Sequence, residues 1–145
     1  MAEKTPQTYS NHVRWDPLFH FLALPVMLLS AIAMIVLFIL HPGLHSAWIF
    51  VISVALAIIT LKTRLYALRV QDRVIRLEER LRLSQVLSEP LRSRIPELTE
   101  GQLIGLRFAP DSELPALVER ALTEKLSRGD IKKQVKNWRP DYWRV

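Results

Sequence analysis

There is no cysteine anywhere in the 145 residues. Disulfides, thiolate zinc sites, iron–sulfur ligation and cysteine nucleophiles are therefore excluded, although that absence identifies no compartment. Charge is missing from one long stretch, since residues 18–61 contain no Asp, Glu, Lys or Arg. Glycine and proline are missing from another, because neither occurs between Leu44 and Glu89. No phosphate-binding glycine loop, dinucleotide fingerprint or nucleophile elbow is found either, which removes the usual sequence signs of nucleotide chemistry and acyl transfer. No internal repeat or low-complexity tract is visible.

What is present is segregated. Half of the residues are hydrophobic, yet the net charge is +6 and the isoelectric point near 10.1. The two facts are compatible because residues 62–145 hold 18 of the 20 basic residues and 12 of the 14 acidic ones. The length leaves room for one modest domain.

The uncharged stretch reads as a hairpin of two membrane spans. Residues 18–40 would form a helix of about 34 Å, enough for a hydrocarbon core of roughly 30 Å. The run is too long for a signal-peptide core, and the leader before it (residues 1–17) carries acids and prolines, so an anchor is expected. "HPGLHS" (41–46) breaks the helix with Pro42 and Gly43 and forms a short external loop. The second apolar run, Ala47 to Leu61, falls short by roughly 8 Å on its own. Extending the span over 47–68 repairs this if Lys62 and Arg64 snorkel to the headgroups. Trp48 and Tyr66 sit where interfacial aromatics belong. Because the loop has no Lys or Arg, the positive-inside rule places both termini in the cytoplasm.

No helix breaker separates the second span from "VQDRVIRLEERLRL". The expected result is a span that continues as a cytoplasmic stalk over 69–89. On that helix Lys62, Arg69, Arg73, Arg76 and Arg80 fall within a sector of about 60°. Val70, Val74, Leu77 and Leu81 make one apolar stripe. Leu61, Leu65, Leu68, Ile75, Leu83 and Val86 make another, with Asp72 and Glu79 set into it. Two stripes ask for two neighbours. The arginine row reads either as a face held in solvent or near anionic lipid headgroups, or as a docking ladder for an acidic partner.

Pro90 ends the stalk and opens a small C-terminal helical segment, 90–145. Thr99 is placed to cap a helix through "EGQLIGLRF", Asp111 one through "SELPALVERALTEKL", and Asp130 a last one, "IKKQVKNW", with Gly129 at the preceding helix end. A basic aromatic tail follows. The segment is short for a core of its own and should pack on the stalk, the leader or another subunit.

The stretches "PQTYSNHVR" (6–14), "VQDRVIRLEERLRL" (70–83), "LRFAPDSELPAL" (106–117) and "IKKQVKNWRPDYWRV" (131–145) carry a resemblance over nearly the whole chain. The sequence is similar to an uncharacterised family of small bacterial membrane proteins known only as a domain of unknown function. The resemblance implies a bacterial cytoplasmic membrane, two spans and a cytoplasmic helical part. It brings no catalytic residues with it.

The side chains supply little chemistry. His41 and His45 are four apart, but Pro42 and Gly43 prevent the helical geometry a shared metal would need. His12 and His20 flank the first span, and His12 could hydrogen-bond to Asp72 or Arg73 on the stalk. "GQLIG" (101–105) matches the small-residue dimer motif but lies outside the spans, where that mechanism is not expected. Within the spans the polar side chains are Ser30, Ser53 and Thr60. Ser30 with Ala33, and Ser53 with Ala57, read as helix–helix packing surfaces. No intramembrane charge marks an ion path.

The expectation is an all-α membrane protein that is not an enzyme and uses no cofactor. It would be a membrane-anchored scaffold or accessory subunit, binding a protein partner or self-assembling through its cytoplasmic helices. The alternative is a homo-oligomeric pore or transport component. In the tail, Lys132, Lys133, Lys136 and Arg139 with Trp138, Tyr142 and Trp143 suit anionic lipid or a partner. Nucleic acid is disfavoured, since no RNA or DNA fold signature accompanies the charge.

Overall fold

A computed structural model describes residues 6–12 and 15–141. It is all helical, with no strand among the described residues. Contacts divide the chain into two units. One is residues 15–69; the other joins, among the described residues, 70–141 to 6–12 of the leader.

In the first unit, a wide π-turn over Leu18–Ala23 leads into α1, Leu24–Leu40. Pro25 explains the widening: it has no N–H to give to the carbonyl four residues back, and its ring crowds that carbonyl. Asp16 steadies the start of the turn, its carboxylate accepting from Phe19 N at 3.2 Å and its carbonyl from His20 N at 2.9 Å. Before Pro42 the backbone leaves helical geometry, with His41 at φ −131° and ψ 74°. α2 then begins at Leu44, earlier than expected, so the break is 41–43 and His45 and Ser46 are already helical. Ser46 is buried; its hydroxyl donates to His41 O at 2.7 Å and Gly43 O at 3.0 Å, tying the first turn of α2 to the break before it.

α2 runs from Leu44 to Val86. Both Leu18–Leu40 and Leu44–Val86 are long and apolar enough to cross a membrane, and nothing in their most apolar windows is buried. Phe38 stacks on Phe50 at 6.2 Å between centroids. Arg64 lies 3.9 Å from the Asp16 carboxylate and over the Phe19 ring.

The second unit is a small core packed against the last turns of α2 and Leu87 just beyond them. Ile75, Leu83 and Leu87 are buried, and the latter two join one apolar cluster with Leu103, Phe108, Leu117 and Ile131. A 3-10 stretch, Arg92–Glu97, follows the helix. α3 is Glu100–Leu106, α4 Leu114–Thr123 and α5 Arg128–Gln134. Thr99 caps α3 as expected and does so reciprocally: its hydroxyl accepts from Gln102 N while Gln102 Oε1 accepts from Thr99 N. The same Gln102 is buried and donates through Nε2 to Ala121 O at 2.7 Å and Leu126 O at 3.2 Å, tying α3 to the end of α4.

The other caps differ from expectation. Asp111 is taken by Arg82, and α4 starts from Glu113 without a side-chain cap bond. Ser127, not Asp130, caps α5; Asp130 sits inside the first turn and accepts from the Ser127 hydroxyl. Gly129 also lies inside α5. α5 stops at Gln134, well short of Trp138, for a tertiary reason. The Glu113 carboxylate accepts from Lys136 N, Asn137 N and Asn137 Nδ2 at 2.9–3.0 Å. Donors that would have continued the helix are engaged elsewhere.

Candidate functional site

Two features of the second unit gather most of its chemistry: a charged groove beside α2 and the outer face of α2 itself. The groove holds about 460 Å3 and is lined by Gln71, Val74, Ile75, Glu79, Arg139 and Asp141, among others. Glu79 lies at its base, almost wholly buried. Arg82 Nη1 donates to Glu79 at 3.2 Å, and Arg139 Nη1 lies 3.6 Å from its other oxygen. Arg82 also bridges outward, with Nε to Asp111 at 2.7 Å and Nη2 to Ala109 O at 2.8 Å. Arg107, itself buried, is 3.6 Å from Asp141 and lies over the Phe108 ring.

Burial pushes the Glu79 carboxyl above its usual range, and the attraction of Arg82 and then Arg139 only partly offsets this. Desolvation wins here, as it often does for buried ion pairs. The sign follows. A carboxyl whose folded pKa is raised contributes stability that is full below its unfolded value, about 4.3, and is lost as pH rises through the folded value. Glu79→Gln imitates the protonated acid. Denaturant titrations of variant and parent should therefore diverge in the variant's favour as pH rises from about 4 to 7; a gap that closes over that window would contradict the assignment. Glu113 behaves oppositely. Desolvation alone would raise it, but the donors from Lys136 and Asn137 outweigh that and hold it low. Its contribution is lost as pH falls through the lowered value.

The expected arginine row is only partly available. Lys62, Arg69, Arg73 and Arg80 are exposed, and the Lys62 ammonium lies 5.8 Å from the Tyr66 ring centre. Arg76 is instead engaged, paired with Glu100 at the start of α3 and donating through Nε to Asp72 O at 3.2 Å.

The two apolar stripes of α2 also have different fates. Ile75 and Leu83 are buried and Val86 is half-buried, so that stripe seats the core; Leu61 and Leu65 remain exposed. Val70, Val74, Leu77 and Leu81 are all exposed.

The tail divides. Lys132 points inward: it is buried, its Nζ lies 3.0 Å from His12 Nε2, and it sits 5.1 Å from the centre of the Phe108 ring. Trp138 packs on the same ring at 4.7 Å between centroids. Lys132 is thus buried and Trp138 half-buried. Arg139 gives its backbone N–H to Phe108 O at 2.7 Å and its guanidinium to Glu79. Lys133 and Lys136 are exposed. Tyr142 and Trp143 lie outside the described residues. The surroundings of His12 are Tyr9, Phe108, Lys132 and Trp138, so it docks the leader onto the C-terminal segment. Gln7 does the same, exchanging hydrogen bonds with the Asp141 backbone at 2.9 and 3.1 Å.

Of the packing pairs, Ser30 and Ala33 are exposed, whereas Ser53 and Ala57 are half-buried. The Ser53 hydroxyl donates to Ile49 O and that of Thr60 to Leu56 O, each at 2.9 Å. The glycines of "GQLIG" serve a purpose that the sequence reading set aside. A Cβ on Gly105 would stand 3.2 Å from Arg128 O and from two atoms of Ile131, and one on Gly101 would stand 3.7 Å from Arg128. Close helix approach through small residues operates here between α3 and α5. Gln102, Glu113 and Gly105 are thus residues whose roles emerge only from the fold.

No curated protein and no solved structure matches the chain. A family model does, over residues 1–145, and the chain belongs to that family of unknown function, DUF6526.

Proposed function

We propose that the protein is a membrane-anchored adaptor whose helical second unit makes contacts with protein at the cytoplasmic surface. The observation that carries this reading is α2: one helix, uncharged from Leu44 to Leu61 and unburied across its most apolar window, whose last turns join a packed core through Leu83 and Val86. So many exposed apolar side chains are untenable in water and need a lipid phase. A hairpin of the two apolar runs is supported by two contacts, Phe38 of α1 with Phe50 of α2 and Asp16, just before the π-turn, with Arg64 of α2. Inside the spans, the Ser53 and Thr60 hydroxyls satisfy themselves on their own helix, as lipid demands. They offer no polar path, which favours an anchor over a pore. Basic residues cluster beyond the second span and not in the 41–43 break, which supports a cytoplasmic second unit in a bacterial inner membrane.

The absence of cysteine makes the test clean. Leu44 and Ser112 are both exposed. In intact cells an impermeant thiol reagent should label Leu44→Cys and leave Ser112→Cys untouched until the membrane is opened. Labelling of Ser112→Cys in intact cells would overturn the orientation.

A further inference from the structure

We infer that α2 pairs with α2 of a second copy of this chain, in parallel and in register, along Val70, Val74, Leu77 and Leu81. These residues recur at intervals of four, three and four, the spacing of a coiled-coil seam. They are 61, 48, 61 and 58 % exposed. The residues of α2 that seat the core, Ile75, Glu79 and Leu83, lie about 170° round the helix from that seam at 100° per residue. Among the described residues nothing in the second unit's own packing covers Val70, Leu77 or Leu81, and Val74 borders the charged groove. Val74 and Leu77 place a β-branched residue and a leucine at successive core positions, the combination that favours two parallel strands.

The flanks choose the occupant. Arg73 and Arg80 border the seam on one side and Glu78 on the other, all exposed. In a parallel in-register pair, a residue bordering one side meets the residue five places further on in the other chain. Arg73 therefore faces Glu78 of the second copy, and by symmetry the contact is made twice. An antiparallel pair would set arginine against arginine. A seam of this length is marginal in free solution. It becomes sufficient when both copies are held in one membrane with one orientation, because tethering raises the effective concentration. In this respect the inference rests on the anchored reading above.

Oxidative cross-linking of the full chain in native membranes tests it. Leu77→Cys should give a disulfide-linked dimer, whereas Arg69→Cys, exposed but on another face, should give little. Both positions are exposed, so the core is untouched. Charge exchange then separates the possible occupants. Arg73→Glu and Glu78→Arg should each lower the Leu77→Cys dimer about fivefold, and the two together should restore it. An acidic partner or a lipid surface would also lose contact through Arg73→Glu, but Glu78→Arg could not bring back a dimer. Absence of the Leu77→Cys dimer, equal cross-linking at position 69, or failure of the double exchange to restore the dimer would each overturn the pairing. The thiol labelling at positions 44 and 112 is read in the same membranes. A correctly oriented chain that remains monomeric removes the pairing alone; a misplaced position 112 removes the anchored reading.

Discussion

Phe108→Ala is expected to unfold the second unit at temperatures where the parent chain is intact. The ring is fully buried and is among the largest such side chains of this unit. Trp138 packs on it at 4.7 Å and His12 at 5.8 Å between centroids, so it receives both the tail and the leader. The Arg107 guanidinium and the Lys132 ammonium lie 4.5 and 5.1 Å from its centre. Removing a buried Phe to Ala costs about 3–5 kcal/mol. A unit of this size commands roughly 4–12 kcal/mol in all, at 0.05–0.15 kcal/mol per residue. The loss is about a quarter of the whole at the least, and nearly all of it at the lower end of that range. It should appear in detergent as a helix-melting midpoint lowered by about 15–30 °C, with the signal of the first unit persisting. Phe108→Leu separates the contributions. It keeps most of the apolar volume but removes the ring face on which two buried cations rest, and should cost about 1–2 kcal/mol. A nearly neutral Phe108→Leu would mean that the cations draw nothing from the ring.

The importance of Phe108 could not be seen in "LRFAPDSELPAL", where it is one apolar residue among several. What was legible belongs to local pattern. The uncharged run and the Pro42–Gly43 break specify two apolar helices, because helix length and helix breakers act through neighbouring residues alone. Thr99 was legible as a cap for the same reason: its partner is three residues away. Asp111 and Asp130 have equally good capping chemistry, yet one is drawn to Arg82, 29 residues distant, and the other is displaced by Ser127. A local preference of about 1 kcal/mol is easily outbid by a charge-assisted contact. The end of α5 fails in the same way, because Glu113 takes the amides of Lys136 and Asn137 from across the unit.

The candidate contact surface was legible only as a pattern without a sign. The sequence places two apolar stripes and one basic row on the same helix, but not which stripe the chain itself covers. Tertiary packing decides, setting Ile75 and Leu83 inward and leaving Val70, Val74, Leu77 and Leu81 outside. It also removes Arg76 from the basic row by pairing it with Glu100. Lys132 shows how misleading charge can be in a basic tail. Its stem and ammonium are buried between His12 and Phe108, where an aromatic face and a histidine nitrogen replace water.

Gly105→Leu is the other substitution expected to be ruinous, and it reads the α3–α5 contact directly. Helix propensity argues that alanine or leucine should improve on glycine inside a helix, by about 1 kcal/mol for alanine. Packing argues the reverse. A Cβ at position 105 would meet Arg128 O and the Cβ and Cγ2 of Ile131, all at 3.2 Å, so α5 must retreat by a few tenths of an ångström even for a methyl group. Ile131 cannot retreat freely, because it is fully buried in the same cluster as Leu103 and Phe108. For Gly105→Ala the two effects oppose, and the net loss should stay within about 1–2 kcal/mol. Leucine adds four carbons where there is no room for one. The loss should reach about 3 kcal/mol or more, by separating the helices or forcing Ile131 out of its rotamer. Gly101 is the control on the same helix: its added Cβ meets only Arg128 Cβ at 3.7 Å, an ordinary contact. Gly101→Ala should be neutral or slightly stabilising. Denaturant midpoints of the full chain should therefore fall in the order Gly101→Ala, then Gly105→Ala, then Gly105→Leu. A Gly105→Leu chain as stable as the parent would mean that α3 and α5 do not approach as closely as these glycines permit.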